Sequence, residues 1–266
     1  MKILTWNINS VRIRLAHLKT IVKELDPDII CLQETKCEDA KFPLKDIQKL
    51  GFKFVVFHGQ PSYNGVAILS RIQFKNVVKH DFCNKSDARH ISVEMSCRDL
   101  DNKLCIHNFY VPAGGDDPDP EVNQKFKHKL DFLEEMNLYI RDQILDKRYH
   151  IFVGDMNIAP HINDVWSHKQ LVNVVSHTNI ERNTLNNIIG DNKLCDVMRY
   201  FAGDDEKVYS WWSYRNRDWK KSNRGRRLDH IWCSQNLKNN YKNHQIFTKA
   251  RDFERPSDHV PVILEI

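Results

Sequence analysis

The chain has 266 residues, of which 41% are hydrophobic and 28% are charged, and its formal net charge at neutral pH is +5. This composition is typical of a soluble globular protein, and without a run of about 18 apolar residues it excludes a transmembrane helix. The strand-like N-terminus lacks the apolar core of a signal peptide, so we expect a cytoplasmic protein. No linker or low-complexity tract divides the sequence, and we interpret residues 1–266 as a single domain.

The elements predicted in the first half of the chain are mainly strands. KILTWNI alternates as a strand does, and Ser10 is placed to cap a helix whose apolar residues recur at helical spacing over 15–25. DIICLQ is a short apolar run, which predicts a buried strand that ends at Glu34. Further strands are predicted over 52–57, 65–70, 91–95 and 104–110.

The second half begins with a long helix. Asp119, Pro120 and Glu121 suit a helix start, and an apolar stripe follows over 126–144. HIFVGDMN predicts a strand that ends in a Gly-Asp turn. Residues 160–200 are predicted to form helices and loops. Further strands are predicted at VYSWW, RRLDHIW and HVPVILEI. This mixture favours an α/β fold with two packed mixed β-sheets flanked by helices, and neither GxGxxG nor a Walker loop is present.

The seven cysteines are scattered, without a CxxC pair, and several lie inside apolar runs, as Cys31 and Cys105 do. Buried free thiols in a reducing compartment explain this pattern better than a disulfide framework or a zinc site.

Polar side chains stand where many of the predicted strands end. Taken singly, each is an ordinary turn or strand-end residue, but loops at strand ends are where a scaffold carries its chemistry. These residues are Asn7, Glu34, Tyr110, Asp155, Asn157, Asp258 and His259.

Asp229 is harder to explain as a structural residue. It lies between Leu228 and Ile231 in a predicted buried strand, where a carboxylate is costly unless a partner compensates its charge. The imidazole of His259 would serve, giving an Asp–His pair in which the acid orients and charges the ring. This interpretation requires the two residues to lie on adjacent strands.

These side chains together suggest a type of reaction. Amide and carboxylate oxygens suit a hard ion such as Mg²⁺ or Mn²⁺, and the absence of clustered Cys and His argues against zinc. RNRDWKKSNRGRR at 215–227 holds seven basic residues and one acidic residue, with aromatic Tyr214 and Trp219 beside and within it. Such a run is often just a solvated loop, but it also suits a polyanion groove. A hard ion, an Asp–His pair and a basic groove indicate hydrolysis of a phosphate ester.

The motifs TWNIN, LQETK, NFYVP, GDMNIAP, RGRRLDHIW and PSDHVPV, in this order from the first residues to the last, have a known counterpart. They resemble the exonuclease III class of apurinic/apyrimidinic endonucleases, within the endonuclease–exonuclease–phosphatase superfamily. The resemblance implies a four-layer α/β sandwich. It also implies a monomeric, Mg²⁺-dependent DNA repair nuclease that cuts duplex DNA 5′ to abasic sites and removes 3′ blocks or nucleotides.

The resemblance also implies metal ligands, by matching position. Glu34 would be the main ligand, with Asn7 nearby and Asp258 sharing an ion, while Asn9 would tune the site. The full set of implied ligands is Asn7, Glu34, Asp155, Asn157, Asp258 and His259. Whether one metal or two act is left open.

The catalytic roles come from the same resemblance. Asp155 would orient or deprotonate the attacking water, or bind a second metal, and Asn157 would hold the nucleophile or stabilise the transition state. Tyr110 would contact the scissile phosphate, as phenolate or as acid for the leaving group. His259, oriented by Asp229, would grip a phosphate oxygen.

DNA binding is predicted for one aromatic residue and three basic ones, Trp211, Arg215, Arg224 and Arg226. Trp212 is interpreted as a core residue. The chain departs from the family pattern at two places that bear on how DNA is held. Arg226 stands where some relatives have tryptophan, and Ala113 stands where relatives often carry an amide.

There are two alternatives, one within the same superfamily and one from a different functional class. Another superfamily phosphodiesterase or phosphatase, acting on lipid or inositol phosphates or on RNA, would share the core motifs and differ in the loops. A catalytically dead nucleic-acid-binding module would show substitutions at the metal or His position. The residues in question are all intact, which argues against the second alternative: Glu34, Asp155, Asn157, Asp229 and His259.

Overall fold

Two six-stranded sheets form the centre of the protein in a computed structural model that describes residues 1–97, 100–216 and 218–266. The first sheet contains, in spatial order, β13 (Asn243–Ile246), β14 (Val262–Glu265), β1 (Lys2–Asn7), β2 (Ile29–Gln33), β4 (Val66–Ser70) and β3 (Phe54–His58). The second contains β5 (Phe74–Val78), β6 (His90–Ser96), β7 (Lys103–Tyr110), β8 (Tyr149–Asp155), β12 (Asp229–Ser234) and β9 (Leu194–Asp196). A separate two-stranded ribbon pairs β10 (Trp211–Trp212) with β11 (Gly225–Arg226).

Both sheets are mixed in the same way. Each has one parallel pair near its centre, β1 with β2 and β7 with β8, and its other pairs are antiparallel. The helices are α1 (Leu15–Leu25), α2 (Leu44–Lys49), α3 (Gln124–Gln143), α4 (His168–Leu171), α5 (Asn179–Asp191), α6 (Val197–Ala202) and α7 (Trp219–Ser222). In the part of the chain that the structure describes, no helix is long and apolar enough to cross a membrane.

The layers follow from the alternation of side chains along the strands. In β1, Ile3 belongs to the core between the sheets, whereas Leu4 and Trp6 pack with residues of α1 and α2. On the far side of the second sheet, Phe109 and Phe152 pack with residues of α3 and α5. The order is therefore helix, sheet, sheet, helix, and the predicted four-layer α/β sandwich is confirmed.

Two predicted helix starts are wrong. Ser10 does not cap α1, which begins at Leu15, because Ser10 has φ +85° and a turn separates it from the helix. The helix predicted from Asp119 begins instead at Gln124, since the side chain of Asn123 accepts hydrogen bonds from the first backbone N–H groups. Asp119 caps a short turn through the N–H of Glu121.

The predicted strand RRLDHIW is divided in the structure. Arg226 ends β11, and β12 begins only at Asp229. The division arises at Arg227, whose backbone N–H donates to the carbonyl of Asp164 and whose guanidinium is buried against the Asp164 carboxylate. Asp229 is thus the first residue of its strand and faces the end of β8.

Candidate active site

Four strand ends meet at one edge of the two sheets. The parallel strands β1 and β2 run side by side to Asn7 and to Glu34, which directly follows β2. The parallel strands β7 and β8 end together at Tyr110 and Asp155, which are partners in register. Because each sheet places a parallel pair at its centre, the carboxyl ends of four strands carry these polar residues to the same place.

Gly154 permits the close approach of β7 and β8 just before the site. Its φ is +145°, and a Cβ atom there would lie 1.9 Å from the carbonyl oxygen of Phe109. Any other residue would push the two strands apart directly beside Tyr110 and Asp155.

A cavity of about 670 Å³ opens at this edge. Nearly all the residues that the sequence singled out line it, and Asp229 lies behind His259 instead. The predicted residues in the lining are Asn7, Glu34, Tyr110, Asp155, Asn157, Trp211, Arg215, Arg224, Arg226, Asp258 and His259.

The expected Asp–His pair is present, with a different strand arrangement. His259 Nδ1 lies 2.8 Å from Asp229 Oδ2, and both side chains are buried. The prediction of adjacent strands is wrong, because β12 belongs to the second sheet and His259 precedes β14 of the first sheet. The pair therefore bridges the two sheets, and His259 Nε2 faces Asp155 Oδ2 at 3.6 Å.

The charges of this group favour an imidazolium between two acids. Burial alone would lower the pKa of His259, but attraction by Asp229 and Asp155 outweighs it and raises the pKa to about 10. Burial raises the pKa of Asp155 to about 7, although the charge of His259 opposes the shift. His259 is thus a charged donor at neutral pH, while Asp155 is poised to exchange a proton.

Two amides hold Asp155 in place. Asn7 Nδ2 donates to Asp155 Oδ2 at 2.8 Å, and the backbone N–H of Asn157 donates to Oδ1 at 2.9 Å. Asn157 has φ +52°, an uncommon value for a residue other than glycine, and its side-chain Nδ2 also donates to the carbonyl of Val111. Strained backbone of this kind is a feature of functional sites.

Tyr110 and Glu34 are hydrogen-bonded to each other in the same cavity. The Tyr110 hydroxyl donates to Glu34 Oε1 at 2.7 Å, and Glu34 itself has φ +52°. Burial, followed by the nearby charge of Glu34, raises the pKa of Tyr110 well above its ordinary value. This favours a neutral phenol over the phenolate that the sequence analysis also allowed.

The donor set fits a hard divalent metal ion. Asn7, Glu34, Asp155 and Asp258 supply amide and carboxylate oxygens to one cavity, which is the ligand chemistry that such ions prefer. Asp258 is fixed by Asn9 Nδ2 at 3.1 Å and by Trp211 Nε1 at 2.9 Å. Asp155, Asp229 and His259 also place ligand atoms within 4.8 Å of one another, but the Asp229–His259 hydrogen bond accounts for that cluster.

The basic wall of the cavity combines arginine with tryptophan. The guanidinium of Arg226 lies 5.4 Å from the ring centre of Trp211, and that of Arg224 lies 4.7 Å from the ring centre of Trp166. Arg224 and Arg215 are exposed at the mouth. Arg217, part of the predicted basic run, lies outside the described residues. Trp212 is buried, with 3% of its surface exposed, as predicted.

Sequence reasoning missed several supporting residues. Ser210 Oγ donates to Asp229 Oδ2 at 2.6 Å and accepts from two backbone N–H groups, which fixes the acid of the Asp–His pair. Gln33 donates to Asn108 Oδ1 at 2.6 Å across the two sheets. Nothing local marks these residues, except that an amide inside an apolar strand requires a partner.

The chain matches the Endonuclease/Exonuclease/phosphatase family over residues 4–259, and it belongs to this family. An exodeoxyribonuclease III from Haemophilus influenzae is 30% identical over 100% of this chain and 99% of its own length. A DNA-(apurinic or apyrimidinic site) endonuclease from Dictyostelium discoideum is 27% identical over 98% of this chain and 69% of its own length.

Solved structures give the same result. A 3′-5′ exonuclease from Neisseria meningitidis has a TM-score of 0.90 and 30% identity, covering 100% of this chain and 99% of that one. An AP endonuclease from Archaeoglobus fulgidus has a TM-score of 0.89 and 31% identity, covering 99% and 98% of the two chains. A 3′ phosphatase from Neisseria, bound to a product DNA hairpin, has a TM-score of 0.90 and 29% identity, covering 100% and 99%. The resemblance seen in the sequence and the expectation of a hydrolytic nuclease are confirmed.

Proposed function

We propose that this hydrolytic nuclease acts in DNA repair with Mg²⁺ as its metal. It hydrolyses the phosphodiester bond 5′ to abasic sites and removes 3′ blocking groups or nucleotides from duplex DNA. One observation carries the proposal: an Asp–His pair, a carboxylate of raised pKa, an oxygen-rich donor set and a basic wall share one cavity. The activities named for the full-length relatives support it.

Asp155 is assigned as the group that accepts the proton of the attacking water. Its pKa of about 7 suits a base that works at neutral pH. Asn7 and Asn157 hold its two oxygens, so that one face of the carboxylate is directed to the cavity.

His259 and Tyr110 are assigned as donors to the phosphate. His259 donates from Nε2 to a non-bridging oxygen, and Asp229 on Nδ1 keeps the ring oriented and charged. Tyr110 keeps its proton because its pKa is raised, so it donates to the phosphate as a phenol.

Glu34, Asn7 and Asp258 are the residues that would hold the ion. When bound, Mg²⁺ or Mn²⁺ supplies the positive charge that neutralises the phosphate oxygens in the transition state. The exposed Arg215 and Arg224 contact backbone phosphates of the duplex, which gives affinity without sequence preference.

A phosphodiesterase for inositol or lipid phosphates would use the same catalytic group. The wall of Trp211, Trp166 and the arginines that stack on them favours DNA, because stacking and phosphate contacts together suit a nucleic acid. Similarity to relatives that act on DNA supports the same choice.

The test compares a duplex containing one abasic site with a soluble phosphoinositide, each with Mg²⁺ and with chelator. We expect cleavage of the duplex 5′ to the abasic site in Mg²⁺, leaving a 3′-hydroxyl and a 5′-deoxyribose phosphate, and no cleavage in chelator. The His259→Ala variant, assayed in parallel, excludes a contaminating nuclease. Hydrolysis of the phosphoinositide with an intact duplex would overturn the proposal.

We also propose that residues 1–266 form one catalytic domain, since β14 near the C-terminus pairs with β1 at the N-terminus. The monomeric state and the cytoplasmic location stay predictions from the sequence.

A further inference from the structure

Lys129 is a fully buried cation on α3 whose ammonium lies next to the cavity. Its Nζ donates to the carbonyl oxygen of Asn157 at 2.8 Å and to that of Ala113 at 3.3 Å. The third acceptor is Glu181 Oε1, at 2.5 Å. An ammonium has three N–H donors, so these acceptors satisfy it completely. The ion pair with Glu181 accounts for one donor, and two backbone carbonyls account for the others.

The three acceptors connect three segments that line the cavity. Ala113 belongs to the loop after β7 and Asn157 to the turn after β8, and both residues line the cavity. Glu181 accepts from the backbone N–H of Ser176, which lines the cavity from the segment before α5. Lys129 therefore fixes three parts of the cavity wall relative to one another, from behind the wall.

The loop after β7 packs closely on the side chain of Lys129. Gly114 has φ +91°, and a Cβ atom there would lie 3.0 Å from Lys129 Cδ and 3.1 Å from Val175 Cγ1. A side chain at position 114 would push this loop away from α3. Glycine thus permits the approach that brings the carbonyl of Ala113 within reach of the ammonium.

The bond to Asn157 connects Lys129 with the proposed catalytic group. Asn157 has φ +52°, and a conformation of this kind persists only when the surrounding structure holds it. The ammonium of Lys129 holds its carbonyl, and the carbonyl of Val111 accepts from its side-chain Nδ2. The backbone N–H of Asn157 donates in turn to Asp155 Oδ1 at 2.9 Å. Asn157 thus links Lys129 to the carboxylate that is assigned as the base.

We propose that Lys129 is a positioning residue for phosphodiester hydrolysis, because its ammonium fixes Asn157 and, through Asn157, the carboxylate of Asp155. This inference rests on the proposed function, which assigns Asp155 as the base and Asn157 as a group that holds it. Lys129 is buried behind the cavity wall and acts on the reaction only through these residues. A displacement of about 1 Å in a reacting group lowers the rate about a hundredfold, so the loss of this support is expected to reduce kcat.

The experiment separates positioning from the stability of the buried ion pair. Lys129→Met alone leaves the charge of Glu181 buried without a partner, whereas Lys129→Met/Glu181→Gln removes both charges. Glutamine also forms a capping box with Thr178 at the start of α5. We therefore expect the double variant to unfold at a higher urea concentration than Lys129→Met. On an abasic duplex in Mg²⁺, its kcat is nevertheless expected to fall about 10- to 100-fold, with KM unchanged.

Lys127→Met is the matched control, since it makes the same change at an exposed position of α3 outside the cavity. It is expected to keep the wild-type kcat and KM. Asn157→Ala tests whether Lys129 acts through Asn157. Introduced into Lys129→Met/Glu181→Gln, it is expected to lower kcat by a smaller factor than it does in the wild-type enzyme, because the two changes disturb the same group.

Circular dichroism at the assay temperature establishes that each variant is folded. A folded Lys129→Met/Glu181→Gln variant with the wild-type kcat, or a loss of kcat/KM that arises only from KM, would overturn the inference alone. An effect of Asn157→Ala that is equally large in both backgrounds would also overturn it. A folded wild-type enzyme that does not cleave the abasic duplex in Mg²⁺ would overturn the proposed function itself.

Discussion

Asp229 Oδ2 and His259 Nδ1 lie 2.8 Å apart and join the two sheets of the sandwich. Asp229 begins β12 in the second sheet, and His259 precedes β14 in the first. The hydrogen bond that orients the imidazole thus depends on how the two sheets are packed together. Residues that hold the sheets in register, such as Gln33 and Asn108, support the site from a distance.

Replacing Asp229 with Asn removes the charge that attracts the imidazolium and permits the wrong ring orientation. We expect kcat on abasic duplex to fall about 10²- to 10⁴-fold, with little change in DNA affinity. Single-turnover cleavage and fluorescence anisotropy measure the two quantities. Asp252→Asn, which changes an acid that pairs with Lys220 outside the cavity, is expected to keep the wild-type rate. A loss of affinity that accounts for the whole effect would contradict the orienting role.

Asp155→Asn and His259→Ala test the two groups that are proposed to act on water and phosphate. Each variant is expected to lower turnover by orders of magnitude while DNA binding survives, because both residues act mainly in the transition state. Rapid-quench cleavage and a gel-shift assay at the same salt concentration provide the measurement. Either variant cutting at the wild-type rate would refute its assigned role.

Glu34→Gln tests the metal site. Gln keeps the shape of the side chain but loses its charge. The Mg²⁺ concentration that gives half-maximal activity is therefore expected to rise at least about tenfold. Titration of activity against Mg²⁺, alongside calorimetry of Mg²⁺ binding, separates metal affinity from catalysis. Glu38→Gln is the control, since Glu38 pairs with Lys41 and does not line the cavity. Wild-type activity that persists in excess chelator would remove the metal from the mechanism.

The sequence predicted the site better than it predicted the surrounding structure, for a physical reason. Asn7, Glu34 and Asp155 end apolar strands, and a polar residue at the end of a strand is a local pattern that a sequence displays directly. The helix starts were misplaced because several side chains within a few residues are able to cap, and propensity does not choose among them.

Contacts between distant parts of the chain could not be predicted from the sequence. The Asp229–His259 pair was inferred from the cost of burying a carboxylate, but which strands carry it depends on sheet order. Ser210 was missed because a serine between aromatic residues has no distinguishing pattern. The same applies to the ion pairs of Lys129 and Arg227, which look like ordinary surface charges in the sequence.

Substitution of Lys129 tests the buried ion pair that Lys129 forms with Glu181 next to Asn157. Its Nζ is fully buried and donates to Glu181 Oε1 at 2.5 Å and to the carbonyl of Asn157 at 2.8 Å. Lys129→Met leaves the Glu181 charge buried without its partner, so the free energy of unfolding is expected to fall by about 3–5 kcal/mol. Lys127→Met, which breaks an exposed pair with Asp131 on the same helix, is expected to have a much smaller effect on the free energy of unfolding. Urea unfolding measures the free energy of unfolding of both variants. Equal losses of stability in the two variants would contradict the role assigned to burial of the Lys129–Glu181 pair.

Asp164 makes stability depend on pH in a defined direction. Burial alone would raise its pKa, but Arg227 and Arg199 outweigh burial and lower the pKa from its ordinary value of 3.8 to about 2. Since the native pKa is the lower one, the stabilisation is fully present above pH 4 and is lost as the pH falls toward 2. This lowering of the pKa contributes about 2 kcal/mol to the free energy of unfolding above pH 4.

Asp164→Asn is therefore expected to destabilise the protein by about 3–5 kcal/mol at neutral pH, because the buried Arg227 loses one of its two charge partners and keeps Asp196. The difference in free energy of unfolding between wild type and variant should narrow as the pH falls from 4 toward 2, where the wild-type carboxylate takes up a proton. Urea unfolding at a series of pH values measures the difference directly. Asp142→Asn, an exposed change on α3, is expected to stay within about 0.5 kcal/mol of wild type. A difference for Asp164→Asn that stayed constant down to pH 2 would show that the arginines do not hold the carboxylate ionised.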